Sequence, residues 1–134
     1  MLVTDKGYLF SKNVDQFSGG IYIYTGVSQG LGYGWERPVS FEYFSANDTG
    51  SFQVDCGIQI QGGEGRRPEK SPKHSFRLVF KNEYGPTKLR YPFFGDDAIS
   101  IFNTIILRAG FGNTWIHWSH SERSMAQYLR DRWT

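Results

Sequence analysis

Hydrophobic and polar residues alternate most strictly over residues 52–61, which read FQVDCGIQIQ. Alternation with a period of two is the pattern of a half-buried strand. Phe52, Val54, Cys56, Ile58 and Ile60 share one face, and Gln53, Asp55, Gly57, Gln59 and Gln61 share the other. A second alternating run covers residues 74–81. There Phe76, Leu78 and Phe80 point one way, and Ser75, Arg77 and Lys81 the other, with Val79. The two runs predict a sheet with one apolar and one polar face. Upstream, residues 39–44 predict a further strand with Val39, Phe41 and Tyr43 on its apolar side. The turn signal Asn47-Asp48-Thr49-Gly50 joins it to the 52–61 strand as a hairpin.

The rest of the chain is less regular. Residues 1–34 read as irregular, with a short strand over 21–24 and a glycine-rich loop over 26–34. Asn82-Glu83-Tyr84-Gly85-Pro86 is a turn, and a short strand over 87–91 ends before Pro92. Phe93 and Phe94 are expected to plug the core. Residues 99–108 are apolar nearly throughout and predict a buried central strand, with Arg108 emerging at its end. A loop over 110–121 carries Trp115, His117, Trp118 and His120. No Cys or carboxylate cluster supports the two histidines as metal ligands, and the tryptophans are expected to pack on the sheet. Residues 121–133 predict the one helix. Ser121 can cap it, Met125, Leu129 and Trp133 fall at i, i+4 and i+8, and Tyr128 widens the stripe. The expected fold class is α+β: a mostly antiparallel, twisted sheet with one C-terminal helix packed on it, in a single domain over residues 1–134.

Composition narrows this picture. A chain of 134 residues is large enough for one domain with a real core. Sixteen glycines and 17% aromatics favour strands and turns over helix. A net charge of +2 is too small to argue for nucleic acid or a membrane surface. The single cysteine excludes an internal disulfide, and its place on the apolar face predicts a buried, inert thiol. There is no signal-peptide hydrophobic region and no apolar run long enough to span a bilayer.

The most suggestive chemistry lies in the loop over 62–73, GGEGRRPEKSPK. Glycines let backbone N–H groups approach an anion, and successive N–H groups can form an anion-binding concavity. Arg66, Arg67, Lys70 and Lys73 add positive charge. A phosphate ligand fits that description. The spacing is neither a Walker A loop nor the glycine fingerprint that opens a Rossmann helix. The same composition also describes a solvated connection between strands, so spacing alone leaves both readings open. Asp96 and Asp97 are adjacent carboxylates that point apart on a strand and more simply cap the next turn; no metal site is assigned.

Several of these stretches, taken in order, carry a family resemblance. Cys56-Gly57-Ile58-Gln59-Ile60-Gln61-Gly62-Gly63, the basic loop, Lys73-His74-Ser75-Phe76-Arg77-Leu78 and Lys88-Leu89-Arg90-Tyr91-Pro92-Phe93-Phe94 resemble the spore-coat-protein-H (CotH) kinase-like family. Gly20-Ile21-Tyr22 and Trp35-Glu36-Arg37-Pro38-Val39-Ser40 agree upstream. Leu107-Arg108-Ala109-Gly110, Trp115 and Ala126-Gln127-Tyr128-Leu129-Arg130-Asp131 agree downstream, so the resemblance covers nearly the whole chain. Where many members carry Asp in a Gly-x-x-Asp-x-Trp stretch, this chain has Asn113.

The resemblance implies an atypical kinase-like fold and, in active members, ATP-dependent phosphorylation with a divalent metal. On that basis the candidate nucleotide-side residues are Gly62, Gly63, Arg66, Arg67, Lys73, Arg77 and Lys81. ATP and magnesium would be cofactors of the parent protein, and no catalytic residue is assigned. No His-Arg-Asp or Asp-Phe-Gly pattern occurs. The expectation is therefore an excised N-terminal lobe of a larger secreted or cell-surface protein, supplying the phosphate side of the site and inactive alone. Its partners would be the remainder of the parent chain and a protein substrate or surface carbohydrate. The rival expectation is a β-rich binding module of a bacterial surface protein that recognises carbohydrate or a protein through its aromatics. A third is a purely structural domain.

Overall fold

The computed structural model describes residues 1–11, 13, 15, 17–21, 35–45, 50–62, 74–95 and 97–109. The strictly alternating stretch is β3, Phe52–Gln61, with the bounds its pattern predicts. Among the described strands it lies at the centre of a sheet of five. On one side it pairs with β2, Arg37–Tyr43, which pairs in turn with the short edge strand β1, Leu2–Val3. On the other side it pairs with β4, Ser75–Val79, which pairs with β7, Thr104–Leu107. All four pairings are antiparallel. A separate two-stranded ribbon joins β5, Leu89–Arg90, to β6, Ile101–Phe102. Among the described residues the only helix is α1, Lys6–Phe10, capped by the Asp5 carboxylate, which accepts from the Gly7 amide at 2.6 Å. No described helix is long and apolar enough to cross a membrane.

Residues opposite one another in an antiparallel pair share a face. The register aligns Phe41 with Val54, Ile58 with Leu78, and Leu78 with Ile105, so the apolar sets of four strands coincide. Val39, Phe41, Cys56, Ile58, Ile60, Leu78 and Phe80 form the core with Leu9, Ile21 and Leu89. The ribbon adds aromatic rings to it. Tyr91 sits 5.0 Å from Tyr43 and 4.8 Å from Phe93, ring centre to ring centre, and Phe93 lies 5.7 Å from Phe102. Such tilted and edge-on pairs each add about 0.5–1.5 kcal/mol beyond the area they bury. The Tyr91 amide, which donates to the Ser100 carbonyl at 2.8 Å, holds the ribbon closed.

The apolar run over 99–108 is not a buried central strand. It breaks at Asn103 into β6 and β7, and β7 is the edge of the large sheet. An edge strand is covered on fewer sides, so it alternates: Thr104 and Ile106 are exposed, Ile105 and Leu107 half-buried. Phe93 joins the core, whereas Phe94 is 77% exposed and is no plug. The strand over 87–91 shrinks to β5. β1 and α1 are too short to leave a pattern in the sequence. The expected strand over 21–24 beyond Ile21, the Asn47-Asp48-Thr49 part of the turn and the helix over 121–133 lie outside the described residues.

Leu78 is fully buried on the apolar face, and Thr104 is exposed on the edge strand. Urea unfolding is expected to show Leu78→Ala losing about 2–5 kcal/mol. Thr104→Ala should lose roughly 0.5 kcal/mol or less.

Candidate functional site

On the polar face of the sheet, the second half of β3 is not open to water. Gly57 and Gln59 are both buried there. The group above them is Glu36, immediately before β2. Because Arg37 lies opposite Ile58, Glu36 falls beside Gln59. Its carboxylate accepts from Gln59 Nε2 at 2.7 Å and from Lys81 Nζ at 2.8 Å and 2.9 Å, one contact to each oxygen. The Glu36 side chain is 4% exposed and that of Lys81 is 40% exposed. The ammonium thus neutralises a buried carboxylate, and the Lys81 side chain stays partly exposed.

A turn positions the cation. Lys81 follows β4, and its carbonyl accepts from the amides of Tyr84 at 3.1 Å and Gly85 at 3.0 Å. That turn lays Tyr84 over Gly57. A Cβ on Gly57 would come within 2.6 Å of both Glu36 Oε1 and Tyr84 Cε2, so only glycine leaves room for the two side chains. Burial pushes the Tyr84 hydroxyl above the usual tyrosine range, and the Glu36 carboxylate beside it adds to the rise. On the opposite face of the same strand, the Cys56 thiol is pushed up to about 12 by burial, helped by the charges of Asp55 and Glu36. Cys56 is fully buried, as its place in the alternation predicts.

The residue after Glu36 turns to the apolar face. Arg37 is 4% exposed and spends its donors on carbonyls. Nε and Nη2 donate to Gly19 O at 3.1 Å and 2.7 Å, Nη2 also to Asp15 O at 2.8 Å, and Nη1 to Glu36 O at 2.8 Å. These bonds tie the 15–19 segment to the start of β2. The segment is closed by Asp15 Oδ1, which accepts from the amides of Phe17 at 2.9 Å and Ser18 at 2.8 Å and from the Ser18 hydroxyl at 2.9 Å. The Phe17 amide, with the Ser18 bonds, holds the Asp15 carboxyl below the usual range.

Of the seven residues the sequence nominates, three are described. Lys81 is in the Glu36 cluster. Arg77 stands on the same face, opposite Gln59. Its Nε is buried with no hydrogen-bond partner among the described residues, and so is Gln61 Oε1. Gly62 leaves β3 at φ +103°, with nothing within 4 Å of where a Cβ would sit. Its glycine is explained by backbone conformation. Gly63, Arg66, Arg67 and Lys73 lie outside the described residues, as do Asp96, His117 and His120. Asp97 is exposed, and no group of three His, Cys, Asp or Glu side chains among the described residues is placed to hold a metal ion. Sequence reading missed Glu36, Gln59 and Tyr84. The available signal was Gly57, a glycine inside a strand, which marks a close approach by another group.

The arrangement combines a buried carboxylate with two cationic side chains. It holds one ammonium paired with the Glu36 carboxylate and one buried guanidinium N–H without a hydrogen-bond partner among the described residues, and charge-assisted bonds from such groups are the strong ones for carboxylate or phosphate. Compared with known protein families, curated proteins and solved structures, the chain matches none.

Gly57→Ala is expected to lower stability by about 1–3 kcal/mol in urea unfolding, because the new methyl forces Glu36 and Tyr84 off the sheet. Cys56 predicts a pH effect. The folded chain keeps the thiol proton where the unfolded chain releases it, so stability is unaffected below about pH 9 and falls as pH rises towards about 12. Urea unfolding across that window should show a shallower fall for Cys56→Ala than for the parent chain.

Proposed function

We propose that the polar face of the sheet is the phosphate-side wall of a nucleotide site in a CotH kinase-like protein, an atypical protein kinase or a degenerate relative of one. The observation that carries this reading is the Glu36–Lys81 pair. It joins the Trp35-Glu36-Arg37-Pro38 lead-in of the resemblance to Lys81, three residues beyond the Lys73–Leu78 stretch, across 45 positions of sequence. Kinases place a lysine on the nucleotide's phosphates and hold it with a glutamate. In this reading Lys81 contacts phosphate oxygens and Glu36 fixes its position. Here the glutamate precedes a strand, a departure from the helix that carries it in typical protein kinases.

The unpartnered Arg77 Nε fits the same ligand, since phosphate would satisfy a donor that the described residues leave unused. Gly62, Gly63, Arg66, Arg67 and Lys73 would add backbone amides and charge from the loop. Magnesium is not fitted by the described residues. ATP supplies the transferable phosphoryl group; the chain's own groups bind and orient its phosphates. The wider proposal is a kinase-like lobe in which a helix over 121–133 packs on the sheet, in a secreted or cell-surface protein acting on a protein substrate. The acceptor-activating base and the metal-holding carboxylates are not among the residues assigned.

Calorimetry with inorganic tripolyphosphate and with Mg-ATP tests this. Weak binding that declines with added salt is expected, together with no transfer of radiolabel by this chain. Arg77→Ala should reduce the binding roughly tenfold, the effect of one charge-assisted bond worth about 1.4 kcal/mol. Undetectable binding of both ligands, or binding indifferent to Arg77→Ala, refutes the site. Tight binding of an oligosaccharide without any response to nucleotide would instead support the surface-module alternative.

A further inference from the structure

The apolar face of the sheet is only partly covered. Beside the aromatic ribbon it opens into a groove of about 730 Å³. All four residues of β7 line it: Ile105 and Leu107, which face the core, and Thr104 and Ile106, which face the other way. A groove that touches both faces of a strand runs along that strand's edge. We propose that it seats one extended segment of a partner protein, added to β7 as a further strand, with apolar side chains at alternate positions and a basic residue at the Thr104 end.

The main chain of β7 selects an extended occupant. The Asn103 carbonyl accepts from the Phe80 amide at 3.0 Å, so this pair is a hydrogen-bonded one. Hydrogen-bonded and non-hydrogen-bonded pairs alternate along an antiparallel ladder. Counted along the register, Ile105 and Leu107 turn their amides and carbonyls to β4, and Thr104 and Ile106 turn theirs outward. The Ala109 amide keeps the same phase, donating to Ser75 Oγ on the β4 side at 2.9 Å. Among the described residues no strand lies on the outer side of β7, and its outward groups have no hydrogen-bond partner. Residues 104–107 hold no charge and no proline, two devices that keep an edge from pairing. An apolar small molecule in the groove would desolvate those amides and carbonyls without answering them, whereas an added strand bonds to them.

The other walls set its side chains. Phe41, Tyr43 and Phe93 line the groove on the core side, and Phe44 and Phe94 at its rim are 66% and 77% exposed. Every second side chain of an added strand falls on the face of Ile105 and Leu107, towards these rings. Met1 and residues 41–44 close the groove from the other end of the order β1-β2-β3-β4-β7. A second copy pairing through its own β7 would bring its β4 against that wall; a lone segment brings nothing there. Glu42 is the only charged side chain lining the groove. β2 runs antiparallel to β7, and the register puts Glu42 beyond the Thr104 end, which a basic residue there complements. The inference is independent of the phosphate site.

The test is amide hydrogen exchange on the full chain, with a blocked peptide that alternates valine and threonine and ends in lysine. In the free chain the Thr104 and Ile106 amides are expected to exchange fast, and those of Ile105 and Leu107 slowly. Saturating peptide should slow Thr104 and Ile106 many-fold. Ile106→Pro removes one outward N–H and spares the ladder to β4, and should weaken peptide binding about tenfold. N-methylating the peptide's amides, which keeps its side chains, should abolish binding to the unaltered chain. A glutamate-ended peptide should bind several-fold more weakly, and Glu42→Gln should erase that difference. Slow Thr104 and Ile106 amides in the free chain overturn the proposal, and slowing that grows with chain concentration does so by showing a second copy at the edge. Absence of peptide binding, equal binding of the N-methylated peptide, or indifference to the terminal charge overturns it as well. Octanoate that binds where the peptide does not would assign the groove to an apolar molecule instead.

Discussion

A carboxylate packed against a β-sheet needs a partner, and Glu36 imposes that need on everything around it. Leaving such a charge desolvated and unpaired costs several kcal/mol. Lys81 and Gln59 answer it directly. Gly57 leaves the space, and the turn after β4 brings Lys81 and Tyr84 into place. One residue later Arg37 is buried on the other face and answered by carbonyls. Two buried charges of opposite sign thus flank one peptide bond at the entry to β2. A register slip of one residue would put Glu36 into the apolar core and Arg37 against Lys81, so the pair pins the alignment of β2 on β3.

That constraint divides labour between the two faces. The apolar face carries stability: aliphatic residues at its centre, Tyr91 and Phe93 packed against them, and Phe102 against Phe93. The polar face carries the candidate chemistry. Lys81 is exposed enough to meet a ligand and bonded tightly enough to hold one position. Binding costs less when the side chain is already fixed. A freely rotating lysine at the same place would offer equal charge without that preorganisation.

Much of the sheet is legible in the sequence because half-burial writes itself as alternation. β3 appears with its true bounds, and the facing of Val39, Phe41, Tyr43, Phe76, Leu78 and Phe80 agrees with their burial or packing against the core. The thiol of Cys56 is likewise readable. The run over 99–108 is not, since a continuous apolar stretch looks the same whether it has sheet neighbours on two sides or one. Phe93 and Phe94 are adjacent and chemically identical, yet only the fold sends one inward. The candidate site is half legible. Arg77 and Lys81 stand out as cations on a polar face, while Glu36 hides in a short lead-in whose partners lie far along the chain.

By itself, then, the sequence determined which residues alternate, hence that β2, β3 and β4 form and which side of each is apolar. Those properties depend on neighbours two positions apart, and the chain carries them locally. Strand order, the edge position of β7, the burial of two adjacent charges and the Glu36–Lys81 contact were decided by tertiary structure. Each depends on which distant segment lies alongside, and a carboxylate has no reason to be buried until a lysine 45 residues away is folded onto it.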